Sequence, residues 1–282
     1  MQKIAVLTDS GSDLTLEQYK EYNIEFVPFR IIYSYGEFED KISLSPKELY
    51  DSLEKEIPKT SLPSTARIED ILNKLEAEGY THVIVVAISS GLSGTANAIR
   101  LALEDHPKLT SYVYDTKILS MAEGALVLNA AEMVKEGKTF EEIIEQLPKF
   151  RRKTHGYYTI NTLEYLKKGG RIGKVAGTIG EILNLKPIIS VNDEGIYYTY
   201  AKVRGRKQSI NKIYKIAKEH LEKGKSKVWV LNGGSSAEEF DHLYKMISEL
   251  DNIESIAPAT IGPSLGVHTG PGLLGVIVQE VQ

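Results

Sequence analysis

The run Val83–Ile88 is unbroken aliphatic and ends abruptly on Ser89-Ser90-Gly91. A strand with no polar face must be covered on both sides, which is the signature of a parallel sheet with helices above and below. The residues around it supply the pattern such a sheet needs. Lys3–Leu7, Ile24–Phe29 and Tyr112–Tyr114 read as further strands, and Arg30–Tyr33 extends or follows the second of them. Helical patterns at Leu14–Tyr22, Pro46–Leu53, Ile68–Glu78 and Ser93–Glu104 alternate with the strands, and Met121–Val134 and Phe140–Gln146 follow. Thr60–Thr65 reads as a turn. This alternation predicts an α/β fold whose N-terminal domain is a doubly wound parallel sheet.

The second half is patterned differently. His155–Ile160 reads as a strand, leading to a helix at Thr162–Lys167 that stops at Gly169-Gly170, then a small-residue helix at Ala176–Leu183. Pro187–Val191 and Ile196–Val203 flank Asn192-Asp193-Glu194-Gly195, whose turn chemistry predicts a hairpin. Helices at Ser209–Glu222 and Ala237–Glu249 alternate with strands at Val228–Leu231, Ile253–Pro258 and Leu273–Val278. The expectation is a mixed α+β domain at 153–282 joined to an α/β domain at 1–152 near the basic stretch Phe150–Thr154. Two domains also suit 282 residues.

Composition removes several function classes. The chain is 42% hydrophobic and 26% charged, enough apolar mass for a full core. It carries 34 Lys and Arg against 38 Asp and Glu, a net −4, which argues against a dedicated nucleic-acid binder. It has no cysteine, so thiolate catalysis, disulfides and Cys-ligated metals are excluded. No apolar run approaches the length of a membrane span. The first apolar run, Ile4–Leu7, ends at Thr8-Asp9 and does not read as a signal peptide. The expectation is a cytoplasmic protein with no integral membrane segment.

Three hydroxyl-rich turns fall at predicted strand ends: Thr8-Asp9-Ser10-Gly11-Ser12-Asp13, Thr60-Ser61-Leu62-Pro63-Ser64 and Ser89-Ser90-Gly91-Leu92-Ser93-Gly94-Thr95. Ligands of open α/β sheets bind outside the carboxyl ends of the strands. A helix N-terminus there offers unpaired N–H groups to an anion, and small residues let it approach. The same residues are also the preferred helix N-caps, so each turn has a local explanation beside the functional one. The strip Gly169-Gly170-Arg171-Ile172-Gly173-Lys174 is no Walker loop: its glycine spacing is short by one and Val175 has no hydroxyl for magnesium. It reads as a helix C-cap and turn, or as two cations facing a phosphate or acidic partner. Thr95 breaks the hydrolase elbow pattern around Ser93, no dinucleotide fingerprint follows the first strand, and the six histidines show no zincin spacing. Neither a metal nor a cofactor is expected.

Residues 201–227 hold ten Lys or Arg against Glu219 and Glu222. Most of these fit the solvated side of a helix, whereas Arg204 and Arg206 flank Gly205 ahead of it and suit docking of an acidic or phosphorylated partner. His268 lies in Gly262-Pro263-Ser264-Leu265-Gly266-Val267-His268-Thr269-Gly270-Pro271-Gly272, a loop rich in glycine and proline, and its near-neutral pKa suits either a packed residue or a site.

Taken together, the blocks TDSGSDL, TSLPS, SSGLSGT, LEYLKKGGRI, KVRG and GPSLGVHTGPG resemble the DegV family over essentially the whole chain. The resemblance implies a protein that binds a long-chain fatty acid in a tunnel between its two domains. It implies a carrier with no ATP site of its own, which presents the acid to a separate ATP-binding kinase subunit for acyl-phosphate formation and phospholipid synthesis. By that resemblance Thr60 or Ser61, with Ser93, holds the carboxylate, and His268 lies close to it. Ser89, Gly94 and Thr95 support the head group, and Arg171 and Arg204 serve phosphate handling or kinase docking. Leu62 departs from the family pattern, which often has Gln there. A buried tail agrees with neutral head-group contacts, since about 14 methylenes at ~0.8 kcal/mol each give on the order of 11 kcal/mol before ordering costs. Two other readings stand beside this one: a stand-alone serine hydrolase with Ser93 as nucleophile and His268 as base, and an anion- or phosphate-binding regulatory module built on the basic segment.

Overall fold

A computed structural model describes residues 2–178 and 185–281. The first half contains β1 (Ile4–Asp9), α1 (Leu16–Glu21), β2 (Ile24–Val27), β3 (Arg30–Tyr33), β4 (Gly36–Glu39), α2 (Pro46–Ser52) and β5 (Lys59–Ser61). It continues through α3 (Thr65–Ala77), β6 (His82–Ala87), α4 (Thr95–Leu103), β7 (Thr110–Asp115), α5 (Met121–Lys135) and α6 (Phe140–Arg152). The second half contains β8 (Thr154–Thr159), α7 (Glu164–Lys168), β9 (Leu185–Val191), β10 (Tyr197–Arg204) and α8 (Arg206–Leu221). It ends with β11 (Ser226–Gly233), α9 (Ala237–Ser248), β12 (Ile253–Thr260), α10 (Pro263–Thr269) and β13 (Leu273–Glu280).

The aliphatic run does what its composition requires. It forms β6, inside a parallel sheet of order β2-β1-β6-β7. Successive side chains point to opposite faces, and both faces are covered. Val83, Val85 and Ala87 pack with α3 and α4 residues such as Leu72 and Ile99. Ile84, Val86 and Ile88 pack against α5 and α6 through Leu126, Ile143 and Leu147. Helix starts follow local capping chemistry: Thr15, Ser45 and Thr139 each close a capping box, and Ser64 caps α3 through the Arg67 N–H.

The second half forms a mixed sheet of order β10-β9-β8-β13-β11-β12, in which β11 and β12 are parallel and the other pairs antiparallel. Helices α8 and α9 cover one face through Ile213, Ile216, Leu243 and Ile247. The other face meets α5, whose sequence is apolar on nearly every side. A helix without a polar face has to be buried all round, and α5 lies between the two sheets, touching β1 and β6 on one side and β8 and β13 on the other. One continuous core therefore joins Ile84 and Leu126 to Tyr158, Trp229 and Ile277.

Three expectations change. Thr60 and Ser61 are not turn residues but form β5, which pairs antiparallel with β3. With β4 they build a third small sheet, packed on α2 and α10 through Ile31, Leu49 and Val267. The segment around His268 is not a loop: Pro263 at the first helical turn starts α10, and Gly270, at φ +67°, ends it. In the helix expected at 176–183, residues up to Thr178 continue a 3₁₀ turn, Gly173–Thr178, and positions 179–183 lie outside the described residues.

Candidate functional site

Strands β1 and β6 end side by side, and Asp9 fastens them by accepting the Ile88 N–H at 2.9 Å and the Gly11 N–H at 3.0 Å. In front of these strand ends lies a cavity of about 240 Å³. Phe29, Ile88, Leu92 and Leu119 from the first half and Tyr197 and Leu265 from the second give it apolar walls. Thr60, Ser61, Ser93, Arg171, Ser264 and His268 give it a polar end. A second, much smaller space continues past Leu119, Tyr197 and Leu265, lined by Tyr158, Ile189, Ile261 and Leu273.

The polar end is assembled from four segments. Thr60 on β5 and His268 on α10 share a 2.7 Å hydrogen bond between Oγ1 and Nε2. Burial, with a smaller contribution from the Arg171 charge, brings His268 down to about 4, so its ring is neutral at neutral pH. Its Nδ1 is buried without a hydrogen-bond partner among the described residues. Ser93 is not the cap of α4. The capping position is Gly94, which offers no side chain, and the Ser93 hydroxyl pairs with Thr95 Oγ1 at 2.8 Å. The first N–H groups of α4 thus stand without intrahelical acceptors beside two hydroxyls. Arg171 donates to Leu92 O at 3.2 Å and Gly169 O at 2.8 Å, and no carboxylate among the described residues pairs with it. A cation, two neutral hydroxyl centres, a neutral imidazole and a helix start therefore face one another across an apolar chamber, an arrangement that suits an anionic head on an apolar body.

The expected residues divide in three. Thr60, Ser61, Ser93, Arg171 and His268 meet at the cavity. Ser89, Gly94 and Thr95 stand behind Ser93: Ser89 is buried and donates to Gly195 O at 2.7 Å. That bond docks the β9–β10 hairpin on the Ser89–Ser93 turn. The fit is tight, since a Cβ on Gly195, at φ +81°, would sit 2.0 Å from Ser89 Oγ. Arg204 lies away from the cavity, exposed at the end of β10. Its neighbour Arg206 is not free for docking, because Glu239 and Ser235 engage its guanidinium at 2.8–3.0 Å.

The turn at Thr8–Asp13 is likewise not open to the cavity. Its polar groups are internally used: Ser10 Oγ accepts the Phe29 N–H, and Ser12 Oγ donates to Asp9 O and pairs with Tyr19. It belongs to a buried acidic cluster. Asp13 accepts from Ser120 Oγ at 2.6 Å and from the Gly262 N–H at 2.8 Å, with Lys41 Nζ at 3.5 Å. Asp40 accepts from the Ser264 hydroxyl and N–H, and Thr8 donates to Glu123 at 3.2 Å. Burial pushes Asp9 up to about 7 and raises Asp13, Asp40 and Glu123. Asp13 and Asp40 hold the start of α10, and with it the position of His268.

Sequence reasoning missed Asp40 and Arg30. Arg30 donates to Ser61 Oγ at 3.1 Å and Leu62 O at 2.9 Å, fixing the turn after β5. Leu62 sits at the cavity rim, more than a third exposed. The hydrolase reading does not match this geometry: His268 Nε2 engages Thr60 and Ser93 engages Thr95, so Ser93 and His268 do not pair with each other.

Known proteins resemble the chain over nearly its full length. A family profile described as "Uncharacterised protein, DegV family" matches residues 3–281. A DegV domain-containing protein of Clostridium perfringens is 51% identical over 280 residues, covering 99% of each chain. A DegV family protein from Thermus thermophilus, described as fatty acid binding, superposes with a TM-score of 0.92 at 28% identity, covering 99% of this chain and 100% of its own. A stearic-acid-binding protein from Eubacterium ventriosum superposes with a TM-score of 0.88 at 30% identity, covering 99% and 98%. No helix among the described residues is long and apolar enough to cross a membrane.

Proposed function

From the premise that the chain belongs to the DegV family, we propose that it binds one long-chain fatty acid and presents the carboxyl group to a separate ATP-dependent kinase subunit. The observation that carries the first part is the cavity itself, with hydroxyls, imidazole and helix start at one end and aliphatic and aromatic walls beyond. In this reading Thr60, Ser61 and Ser93 hydrogen-bond the carboxylate and His268 donates from a neutral ring, while Ser89, Gly94 and Thr95 hold Ser93 in place. The tail runs past Leu119, Tyr197 and Leu265 toward the smaller space beyond. Residues 1–152 and 153–282 close on the ligand from opposite sides. In this reading the direct hydrogen bonds to the carboxylate come from neutral hydroxyl and imidazole donors, which leaves its oxygens nucleophilic toward a phosphoryl group.

Arg171 supports the second part: it is a cation at the cavity with no carboxylate partner among the described residues. There it would stabilise the charge of an incoming phosphoryl group. Arg204 would dock the kinase. The acyl phosphate would feed phospholipid synthesis in the cytoplasm.

Delipidated protein titrated with oleate or palmitate, and followed by native mass spectrometry, should take up one acid per chain. Ser93→Ala should weaken retention. No uptake of either acid, or unchanged retention in Ser93→Ala, would overturn the binding site. Acyl-phosphate formation with ATP and a kinase subunit from the same genome tests the second step. Arg204→Ala should lower that rate while leaving lipid affinity unchanged; the reverse pattern would refute the docking role.

A further inference from the structure

Away from the cavity, the helix-covered face of the six-stranded sheet gathers three metal-ligating side chains. Strand pairing puts Val278 opposite His155 and Val276 opposite Tyr157. Residues directly opposite share a face, and alternation carries Glu280 to that face with them. Helix α8 packs on it through Ile213, Ile216 and Ala217, and the next turn brings down His220. One ligand atom from each of His155, His220 and Glu280 then lies within 4.8 Å of the others.

His220 is already oriented. Its Nε2 shares a 3.0 Å hydrogen bond with the buried Tyr157 hydroxyl. Its Nδ1 is buried and has no hydrogen-bond partner among the described residues. The nearest carboxylate oxygen, Glu280 Oε1, stands 3.8 Å away, beyond hydrogen-bond reach. An orphaned ring nitrogen beside a second imidazole, whose ring centroid lies 4.8 Å from its own, and a carboxylate is unusual in a packed interior, and a metal ion would satisfy all three at once.

We propose that His155, His220 and Glu280 form a binding site for a divalent transition-metal ion of the Zn²⁺ class. Two imidazoles and one carboxylate select zinc and its neighbours over the oxygen-preferring Mg²⁺ and Ca²⁺. Ligand distances of about 2.0–2.2 Å place bound ligand atoms roughly 3.3 Å apart, so the three groups draw together by up to about 1.5 Å. Glu280 has the freedom to do so, because its side chain is 36% exposed, and it opens the way in from solvent. A water completes the tetrahedron. Tyr157 becomes the outer partner that fixes the metal-bound ring of His220. The positive charges of Arg151 and Lys223 act on these imidazoles and limit the affinity. The bound ion would join β8, α8 and β13.

The test uses the full chain stripped with a chelator. Isothermal titration with Zn²⁺ should show one ion per chain, and Co²⁺ should give the visible absorption of a low-symmetry four-coordinate site. The melting temperature should rise with zinc concentration. Glu280→Gln and His155→Gln should each weaken zinc binding by roughly 10–100-fold or more, and Tyr157→Phe by roughly 10–100-fold, as outer-shell partners do. Their far-UV spectra and zinc-free melting should show that each variant folds. His106, which Glu69 and Glu76 already flank at 3.0 and 3.1 Å, is the internal control. Absence of zinc binding by the parent chain would overturn the proposal. So would binding that survives both Glu280→Gln and His155→Gln, or that is lost only in His106→Gln.

Discussion

Replacing Thr60 by valine removes one hydroxyl and keeps the branched shape that β5 accommodates. Two effects of opposite sign follow. A bound carboxylate loses a hydrogen bond, and bonds to charged groups contribute about 1.5–3 kcal/mol each. His268 loses its Nε2 partner in the free protein, at 2.7 Å, while its Nδ1 is already unpaired. That raises the energy of the ligand-free state and favours binding, because the carboxylate then satisfies the ring. Full burial of an unpaired group costs about 1–3 kcal/mol, but Nε2 faces the cavity, where water can reach it, so the lower end applies. The lost bond wins. The net weakening is about 0.5–2 kcal/mol, or roughly 2- to 30-fold in Kd. Thr60→Ser should bind like the parent. The assay is displacement of a fluorescent fatty acid from delipidated protein at neutral pH, with thermal unfolding as the folding control. A Kd for Thr60→Val within about twofold of the parent (some 0.4 kcal/mol), or Thr60→Ser as weak as Thr60→Val, would refute the reasoning.

Gly195→Ala should destabilise the fold by about 1–3 kcal/mol in urea titration, from its left-handed backbone and the contact with Ser89 Oγ; an unchanged midpoint would refute the docking role of the hairpin. Stability should fall as pH rises from about 7.5 to 9, a window that starts about one unit above the ordinary histidine value. There the low-titrating rings of His155, His220 and His268 are nearly all neutral in both states. Glu123, raised well above its ordinary value, holds a proton in the native state that the unfolded chain has lost, and Asp9, at about 7, with Asp13 and Asp40, is raised in the same direction. For Asp9 alone the loss across this window is about 0.2 kcal/mol, with the rest carried by the other buried carboxyls, and stability that rises there instead would contradict the sign. Leu265→Phe should narrow the passage between the two chambers and penalise long acids selectively, by about fourfold for each methylene excluded; equal losses for 12- and 18-carbon acids, read on the ~0.8 kcal/mol scale per methylene, would refute a tail path there.

Strand β6 was legible because a run with no polar face has one stable environment, and Gly195 was legible because Asn-Asp-Glu-Gly is hairpin chemistry. The site was legible in part. Thr60, Ser61, Ser93, Arg171 and His268 are drawn to one cavity from segments more than two hundred residues apart. Residue type and the blocks they sit in marked them, not their spacing. Helix-cap chemistry explained Ser64 and failed for Ser93, because Gly94 takes the capping position and frees the hydroxyl. The first hydroxyl turn misled for the opposite reason: its polarity is consumed by neighbours such as Tyr19 and Phe29 that no local pattern reveals. Arg30, Asp40, His155, His220 and Glu280 gain their meaning only from strand register and helix docking, which a pattern of periodicities does not contain.

The order of the six-stranded sheet sets a schedule for synthesis. Strand β13 sits at its middle, between β8 and β11, yet it lies at residues 273–280. As the chain leaves the ribosome, β1 to β7 can pair among themselves, but the apolar back of α5 has nothing to cover it until β8 and β13 are joined. Closure thus waits for a contact between residues 154–159 and 273–280, a long loop to close. Nascent chains stalled before residue 273 should therefore expose a sticky helix and be clients of chaperones. The bridging helix that gives the finished protein one continuous core makes the unfinished one vulnerable.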